Sequence, residues 1–286
     1  MLTQLTTSLL DGLLLGAVYG MVAMGLNLIW GVMKVINLAH GAVMTLGMFG
    51  AYLLFVSWNV PPYLSLPVLA LGGWLLGVAV YWIAVHRVID APHLSSLLST
   101  FAVNMVLIGA GTALFSSSPR NIDYSLGSLE VASLTLQLSR LVAAGLAMAL
   151  SLLLYAFLGR SFFGKCIRAV ADDRAAAELM GIPTSRVLAA TFGIGTMLAI
   201  VAGVLIATVF PFNVLSGEGY QTKAFVMCVL GGLGNPMGAL VGGLLLGALE
   251  GIVPSFLPVS AVPMIEFVLF VLFLLVRPNG LFRGSQ

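Results

Sequence analysis

The chain has 286 residues, of which 60% are hydrophobic and only 8% are charged, and its formal net charge is +2. A soluble domain is about 45–50% apolar and about 25% charged, so this chain has too few ionisable side chains to cover a water-facing surface of its size. A soluble enzyme and a disordered protein are therefore disfavoured. A nucleic-acid binder is disfavoured as well, because no basic tract could neutralise several phosphates.

Long apolar stretches predict an all-α, polytopic transmembrane bundle with about eight spanning segments. A spanning helix needs about 20 mostly apolar residues, and its backbone groups must be paired within a helix or a closed barrel. The stretches are apolar on all sides and do not alternate, which favours helices over barrel strands. In chain order they cover residues 8–29, 38–56, 66–85, 97–115, 141–158, 187–209, 224–251 and 262–276.

Lysine and arginine residues predict the orientation of the bundle. Five of the twelve basic residues lie in the loop 159–186, which we place in the cytoplasm because basic loops stay on that side. The N-terminus then lies outside. Arg277 and Arg283 also favour the cytoplasm, but eight full spans would leave them outside. The side of the C-terminus therefore depends on whether the segment 224–251 is one span or two half-spans.

The seventh segment, 224–251, is Gly-rich and interrupted, which favours two half-spans. Pro236 lacks a backbone donor, and the residue before a proline, here Asn235, is pushed away from the helical region. The chain would then turn back, and the C-terminus would lie in the cytoplasm. All 286 residues would form a single transmembrane domain, with 159–186 as its cytoplasmic loop.

Glycine residues recur every four positions and predict close helix packing. This spacing lets helix backbones approach where apolar burial no longer drives association. We expect three such faces, which are formed by Gly12, Gly16 and Gly20, by Gly234, Gly238 and Gly242, and by Gly243, Gly247 and Gly251.

Two interruptions of the helical pattern predict a transport pathway. They lie at 35–42, between the first two spans, and at 234–239, inside the seventh segment. Interrupted segments in matching places of two halves point to a transport site, so we predict an inverted repeat around the basic loop. An alternative is that Asn37 and Asn235 only cap short helices and that His40 is structural. The candidate pathway residues are Asn37, His40, Gly41, Asn104, Asn235, Pro236 and Gly238.

The basic loop contains a predicted short amphipathic helix, which Gly181 ends and Pro183 prevents from continuing. Such a helix is suited to docking in a groove of a soluble partner. The alternative is a helix on the membrane surface, which the acidic pair Asp172-Asp173 disfavours. The candidate coupling residues are Arg168, Asp172, Ala176, Ala177, Glu178, Gly181 and Ile182.

The chain carries no motif for catalysis or for ATP binding. It has no phosphate-binding loop, no metal-ligand cluster and no nucleophile motif. We therefore expect no enzyme activity, no metal and no cofactor of its own. An active transporter of this kind draws its energy from a separate ATPase or from an ion gradient. An ion-coupled transporter would need an intramembrane carboxylate, for which Glu250 and Glu266 are the candidates, and a purely structural scaffold is the third interpretation.

Three segments, in this order, resemble the LivH-type permeases of bacterial branched-chain amino acid ABC transporters. The first is Gly31-Val32-Met33-Lys34-Val35-Ile36-Asn37-Leu38-Ala39-His40-Gly41. The second is Arg168-Ala169-Val170 together with 175–182, which is similar to that family's coupling loop. The third is Gly231-Gly232-Leu233-Gly234-Asn235-Pro236-Met237-Gly238-Ala239. The resemblance covers nearly the whole chain.

The resemblance implies a multi-pass permease subunit of the bacterial inner membrane that imports branched-chain or other small amino acids. Its implied partners are a second, LivM-like permease, two ATPase subunits of the LivF and LivG type, which bind the ATP, and a periplasmic substrate-binding protein. Related permeases carry urea or short amides, and the sequence leaves that alternative open.

Overall fold

The computed structural model describes residues 2–131, 134–277 and 280–282, and helices dominate these ranges. A π-helical turn, Tyr81–Val85, extends α3, and a two-stranded antiparallel hairpin precedes α5. The elements in chain order are α1 (Leu2–Met33), α2 (His40–Trp58), α3 (Pro62–Val80), α4 (His93–Phe115), β1 (Ser128–Val131), β2 (Leu134–Gln137), α5 (Leu138–Arg160), α6 (Phe162–Asp172), α7 (Arg174–Leu179), α8 (Thr184–Ala207), α9 (Ser216–Gly231), α10 (Pro236–Ile252) and α11 (Val262–Val276).

Eight helices within the described ranges are long and apolar enough to cross a membrane. They are α1 to α5, α8, α10 and α11, the last two counted with adjoining 3₁₀ turns. The prediction of an all-α, polytopic bundle is therefore confirmed. Hydropathy identifies such helices well because every backbone group in lipid must be paired within its own helix.

The glycine faces of α1 and α10 pack against each other along nearly their full lengths. A Cβ atom built on Gly16 would lie 2.7 Å from the carbonyl oxygen of Gly243, and one on Gly20 would lie 2.9 Å from the carbonyl oxygen of Leu240. At Gly12 it would overlap the backbone of Gly247. The residue numbers run in opposite directions, so the two helices are antiparallel. This confirms the packing role predicted for these glycines.

A second antiparallel pair, α3 with α8, has the same design. A Cβ atom on Gly77 would lie 2.6 Å from the Cβ of Thr196, and one on Gly73 would lie 3.0 Å from Cδ1 of Ile200. The first helix of each half, α1 or α8, thus packs on the third helix of the other half, α10 or α3. This exchange is what an inverted repeat predicts, with α5 to α7 between the halves.

The chain order corrects which interruptions are equivalent in the two halves. The segment 34–39 follows α1, and its counterpart is 208–215, which follows α8. The predicted counterpart, 234–239, spans instead the turn from the second to the third helix of its half. The predicted sixth span ends at residue 209 and the predicted seventh segment begins at residue 224. The start of α9, which Glu218 and Lys223 make polar, therefore lay between the two predicted segments.

The seventh segment is two helices, α9 and α10, separated by residues 232–235. It begins at Ser216 rather than at the predicted residue 224. The last described residues lie beside the end of α9, where the amide of Leu281 donates to the carbonyl of Leu230 over 2.9 Å. Gly234, just beyond that end, packs on Gly31 at the end of α1.

The chain therefore turns back between α9 and α10, as predicted, but α10 with its 3₁₀ turn is long enough to cross a membrane and is not a half-span. Gly31, Gly234 and the second half of α6 border one cavity. The C-terminal residues 280–282 consequently lie at the same end of the bundle as the loop 159–186, which we call the basic end. Arg283, which also entered the orientation argument, lies outside the described residues.

Candidate translocation pathway and coupling surface

The helix α2 begins inside the bundle, at His40. Nε2 of His40 lies 3.1 Å from the carbonyl oxygen of Val22, which precedes the end of α1 at Met33 by eleven residues. At 1.5 Å per residue this places His40 ~16 Å from that end of the helix. Asn37 is also buried, and its Oδ1 accepts from the amide of Ala39 over 3.1 Å. The residues 34–39 thus run from the basic end into the interior without helical pairing.

The start of α9 meets the start of α2 at this depth. The amide of Gly41 donates to Oε1 of Gln221 over 2.9 Å, and the backbones of Gly41 and Gly217 touch directly. Both helices have unpaired amide groups in their first turns. The contact therefore forms a polar junction in the middle of an apolar bundle, and only small residues fit there.

A polar stripe on α4 holds the unwound segment in place. Thr100 donates its hydroxyl to the carbonyl of Ile36 over 2.9 Å and accepts from the amide of Leu38 over 3.3 Å. Asn104 lies one turn further along the same face and is 8% exposed, and its Oδ1 has no hydrogen-bond partner among the described residues. Thr100 is absent from the predicted pathway set. The signal that could have identified it is the four-residue repeat of polar residues at 96, 100 and 104, all of which are buried.

The turn between α9 and α10 is held by Asn27, another residue that the candidate set omitted. Nδ2 of Asn27 donates to the carbonyls of Gly232 and Asn235 over 3.0 and 2.8 Å, and its Oδ1 accepts from the amide of Gly234 over 2.6 Å. Oδ1 of Asn235 accepts from the amide of Gly238 over 3.2 Å. Asn235 is thus the N-cap of α10, as the capping alternative stated.

The two predicted groups of pathway residues occupy different places. The structure gathers Asn37, His40 and Gly41 around the junction of α2 and α9. Asn235 and Gly238 shape the turn that Asn27 holds, and Gly238 packs on Gly231. Among the described residues, no hydrogen bond joins the two groups.

A cavity of about 730 Å³ opens at the basic end, between the ends of α1 and α5, the helix α6 and the turn before α10. Pro236 of the predicted pathway lines it together with Arg168 and Asp172 of the predicted coupling set. Arg168 also donates to the carbonyl of Leu158, which joins α6 to the end of α5. This cavity therefore brings together one residue of the predicted pathway set and two residues of the predicted coupling set.

The predicted single amphipathic helix of the basic loop is in fact two helices, α6 and α7. Asp173 interrupts them because its backbone is extended and its Oδ1 accepts from the amide of Ala176 over 3.0 Å, which makes it the N-cap of α7. As predicted, the helix ends before Gly181, which adopts a positive φ of 79°. The amide of Ile182 then donates to the carbonyl of Ala177.

Adjacent residues of α7 face opposite sides. Ala177 is buried against the bundle, whereas Ala176 and Glu178 are exposed. Leu179 and Met180 are the most prominent, with 89% and 81% of their surface exposed. Leu179 and Met180 thus form a small exposed apolar surface at the basic end, outside the spanning helices.

Two contacts connect this surface to the bundle. Glu178 accepts a hydrogen bond from the hydroxyl of Thr184, the first residue of α8. Nη1 of Arg174 lies 2.8 Å from Oδ1 of Asp90, in the loop before α4. These contacts join α7 to the first residue of α8 and to the loop before α4.

Replacing Gly41 by valine is expected to separate the starts of α2 and α9, because the new side chain would overlap the backbone of Gly217. Overpacking of this kind costs about 1–3 kcal/mol. We expect a lower thermal unfolding midpoint and a lower uptake rate. The matched control is Gly72→Val on α3, where a Cβ atom meets nothing within 4 Å. Equal unfolding midpoints and equal uptake rates for the two variants would contradict a close contact between Gly41 and Gly217.

Comparison with known proteins identifies the family of this chain. The family described as branched-chain amino acid transport system, permease component, matches residues 8–277. The high-affinity branched-chain amino acid transport system permease protein LivH of Salmonella typhimurium is 31% identical over 95% of this chain and 93% of its own. BraD of Pseudomonas aeruginosa is 28% identical over 96% and 94%.

More distant relatives extend the comparison. The probable branched-chain amino acid transport permease protein LivH of Methanocaldococcus jannaschii is 27% identical over 91% of this chain and 87% of its own. The family match extends over nearly the whole length of the chain. The chain belongs to the family of permease components of branched-chain amino acid transport systems.

Proposed function

We propose that this chain is the membrane-spanning subunit of an ATP-driven importer of branched-chain or other small amino acids in the bacterial inner membrane. The observation that carries the proposal is the protruding Leu179–Met180 surface at the basic end of a bundle of this family. Relatives that match nearly their full lengths are named for branched-chain amino acid transport, which supports the substrate class.

The coupling step follows from the contacts of α7. A soluble ATPase that binds Leu179 and Met180 pushes on a helix that is anchored by Ala177 and tied to α8 by Glu178. Since α8 packs against α1, α2 and α3, a movement of α8 changes the junction at the centre of the bundle. The proposed coupling residues remain Arg168, Asp172, Ala176, Ala177, Glu178, Gly181 and Ile182.

The proposed pathway runs from the junction of α2 and α9 to the cavity at the basic end. Around the junction it passes Asn37, His40, Gly41 and Asn104, whose buried polar groups suit a small polar substrate. Pro236 lines the cavity, while Asn235 and Gly238 maintain the turn beside it.

The proposed assembly contains a second, LivM-like permease that supplies the other half of the pathway. Two ATPase subunits of the LivF and LivG type bind ATP and dock at the basic end in the cytoplasm, and a periplasmic binding protein delivers the substrate to the opposite end. This chain itself needs no cofactor for its role.

A pull-down from mild detergent tests the proposal, with the tag on the C-terminus, since residues 280–282 lie at the basic end. We expect a second permease and two ATPases in the eluate, with ATP hydrolysis stimulated by the binding protein and ATP-dependent leucine uptake after reconstitution. Recovery of the chain alone, with uptake driven by a proton or sodium gradient, would contradict the proposal and favour the ion-coupled alternative. ATP-driven uptake of urea without uptake of leucine would show that the substrate is urea and not an amino acid.

A further inference from the structure

Three helices bring one charged side chain each to a single cluster inside the bundle. Lys223 of α9 forms an ion pair with Glu250 of α10, and the carboxyl group of Glu266 of α11 lies within hydrogen-bonding reach of Glu250. The Lys223 and Glu250 side chains are 26% and 14% exposed, and Glu266 is 5% exposed as a residue. Charges inside a membrane bundle are costly and mark substrate or ion pathways. None of the three belongs to the predicted pathway set.

The cluster lies in the half of the bundle that is remote from the coupling helices. Gly251, next to Glu250, packs on Ser8 and Gly12 near the start of α1. Nζ of Lys223 lies 5.2 Å from the ring centroid of Tyr19. Tyr19 precedes Met33 by fourteen residues, which corresponds to ~21 Å along the helix at 1.5 Å per residue.

A cavity of about 290 Å³ adjoins the cluster, and Lys223 lines it together with Tyr19, Tyr220 and Phe210. Small-molecule sites start at about 300 Å³, so the cavity suits a ligand of amino-acid size. The rings of Tyr19 and Tyr220 are 5.8 Å apart and offer an apolar wall beside the ammonium group of Lys223. This combination of an apolar wall and a few convergent charges is typical of binding sites.

One acceptor of the cluster has no hydrogen-bond donor. The cluster contains two carboxyl groups and one ammonium group, which is paired with Glu250, while Oε1 of Glu266 is buried without a hydrogen-bond partner among the described residues. Glu266 and Val262 are the buried residues of α11, so this helix places a carboxyl group where packing would favour an apolar side chain. A buried acceptor of this kind needs a donor, and a primary ammonium group provides three.

Another ion pair lies beside Phe210, which lines this cavity. Nη1 of Arg140 is 2.9 Å from Oδ2 of Asp11, and its guanidinium lies 5.7 Å from the ring centroid of Phe210. Arg140 and Asp11 neutralise each other, so they do not supply the donor that Glu266 lacks.

We propose that this cavity binds the zwitterionic head group of an α-amino acid. The ammonium group joins the carboxyl groups of Glu250 and Glu266, the carboxylate pairs with Lys223, and the side chain rests on Tyr19 and Tyr220. This inference rests on the proposed function, because it assigns the entry site of the same pathway. It also distinguishes amino acids from urea and short amides, which carry no ammonium group.

Uptake by the complete reconstituted importer is the first test. Glu266→Gln and Lys223→Met are each expected to lower the initial rate of ATP-dependent leucine uptake more than tenfold. The matched control is Glu218→Gln, an exposed carboxylate on the same helix as Lys223, which should retain the wild-type rate. If the wild-type complex imports leucine and Glu266→Gln imports it equally fast, this site is wrong while the proposed function stands. If the wild-type complex imports no amino acid with ATP, the proposed function itself fails.

A binding measurement without turnover separates recognition from transport. Leucine should raise the thermal unfolding midpoint of the detergent-purified importer, whereas 2-hydroxy-4-methylpentanoate, which lacks the ammonium group, should not. The shift should disappear in Glu266→Gln. Equal shifts by the two compounds would overturn the ammonium assignment.

A charge exchange distinguishes a ligand site from a purely structural ion pair. Lys223→Glu combined with Glu250→Lys restores the pair but places the ammonium group on α10, beside Glu266, where we propose that the ligand binds. We expect normal assembly and a near-normal unfolding midpoint, with uptake still more than tenfold low. Recovery of uptake together with stability would show that the pair only supports the fold.

Discussion

Replacing Asn27 by leucine is expected to destabilise the turn between α9 and α10 and to abolish most transport. The side chain of Asn27 makes three hydrogen bonds to backbone groups of residues 232–235. Leucine is of similar size but pairs with none of them. The loss of three hydrogen bonds to buried or half-buried backbone groups, at about 1 kcal/mol each, costs about 3 kcal/mol. The unfolding midpoint of the purified complex and its leucine uptake measure the effect.

The matched control for this substitution is Asn121→Leu. Asn121 lies in an exposed loop, where its side chain bonds only to that of Asp123. We expect that control to keep the wild-type midpoint and uptake. If Asn27→Leu unfolds at the wild-type temperature, the turn is held by other contacts and Asn27 is not its anchor.

Replacing both Leu179 and Met180 by serine is expected to release the ATPase subunits. These side chains are the most exposed apolar groups of α7, and their removal leaves the bundle contacts of Ala177 unchanged. Truncation of a central interface residue costs about 2 kcal/mol or more, so two of them weaken docking more than a hundredfold. Pull-down of the ATPases and ATP-dependent uptake should both fall to background, while the permease stays monodisperse.

The control for the docking surface is Lys165→Ser, since Lys165 is an exposed residue of the neighbouring helix α6. It should leave ATPase recovery unchanged. Normal ATPase recovery and normal uptake in the Leu179→Ser, Met180→Ser variant would show that the ATPases do not dock on Leu179 and Met180.

The sequence by itself determined the helical class, the approximate spans and the glycine-mediated pairing. Each of these features depends on one segment at a time. A helix in lipid must pair its own backbone groups, so about 20 apolar residues suffice to specify a span. Likewise, the four-residue spacing of Gly12, Gly16 and Gly20 forms one face of a helix whatever its partner is. The break before Pro236 is local for the same reason, since proline removes its own donor.

The interior starts of α2 and α9 were decided by the tertiary structure. Unwound backbone is tolerated at membrane depth only where other parts of the protein satisfy it. Ile36 and Leu38 depend on Thr100, which is more than sixty residues away in the chain, and Gly232 depends on Asn27, which is 205 residues away. No local pattern predicts such partners.

Two further results of the site also depend on the folded chain. Adjacent alanines of α7 look equivalent in sequence, yet Ala177 is buried and Ala176 is exposed, because neighbouring residues of a helix face different directions and only one face of α7 packs on the bundle. Lys223, Glu250 and Glu266 lie on three separate helices and near predicted span ends, where each alone is expected to reach water. Only the packing of α9, α10 and α11 brings their charges together, because the energy of a charge inside the bundle depends on partners that the chain supplies from elsewhere.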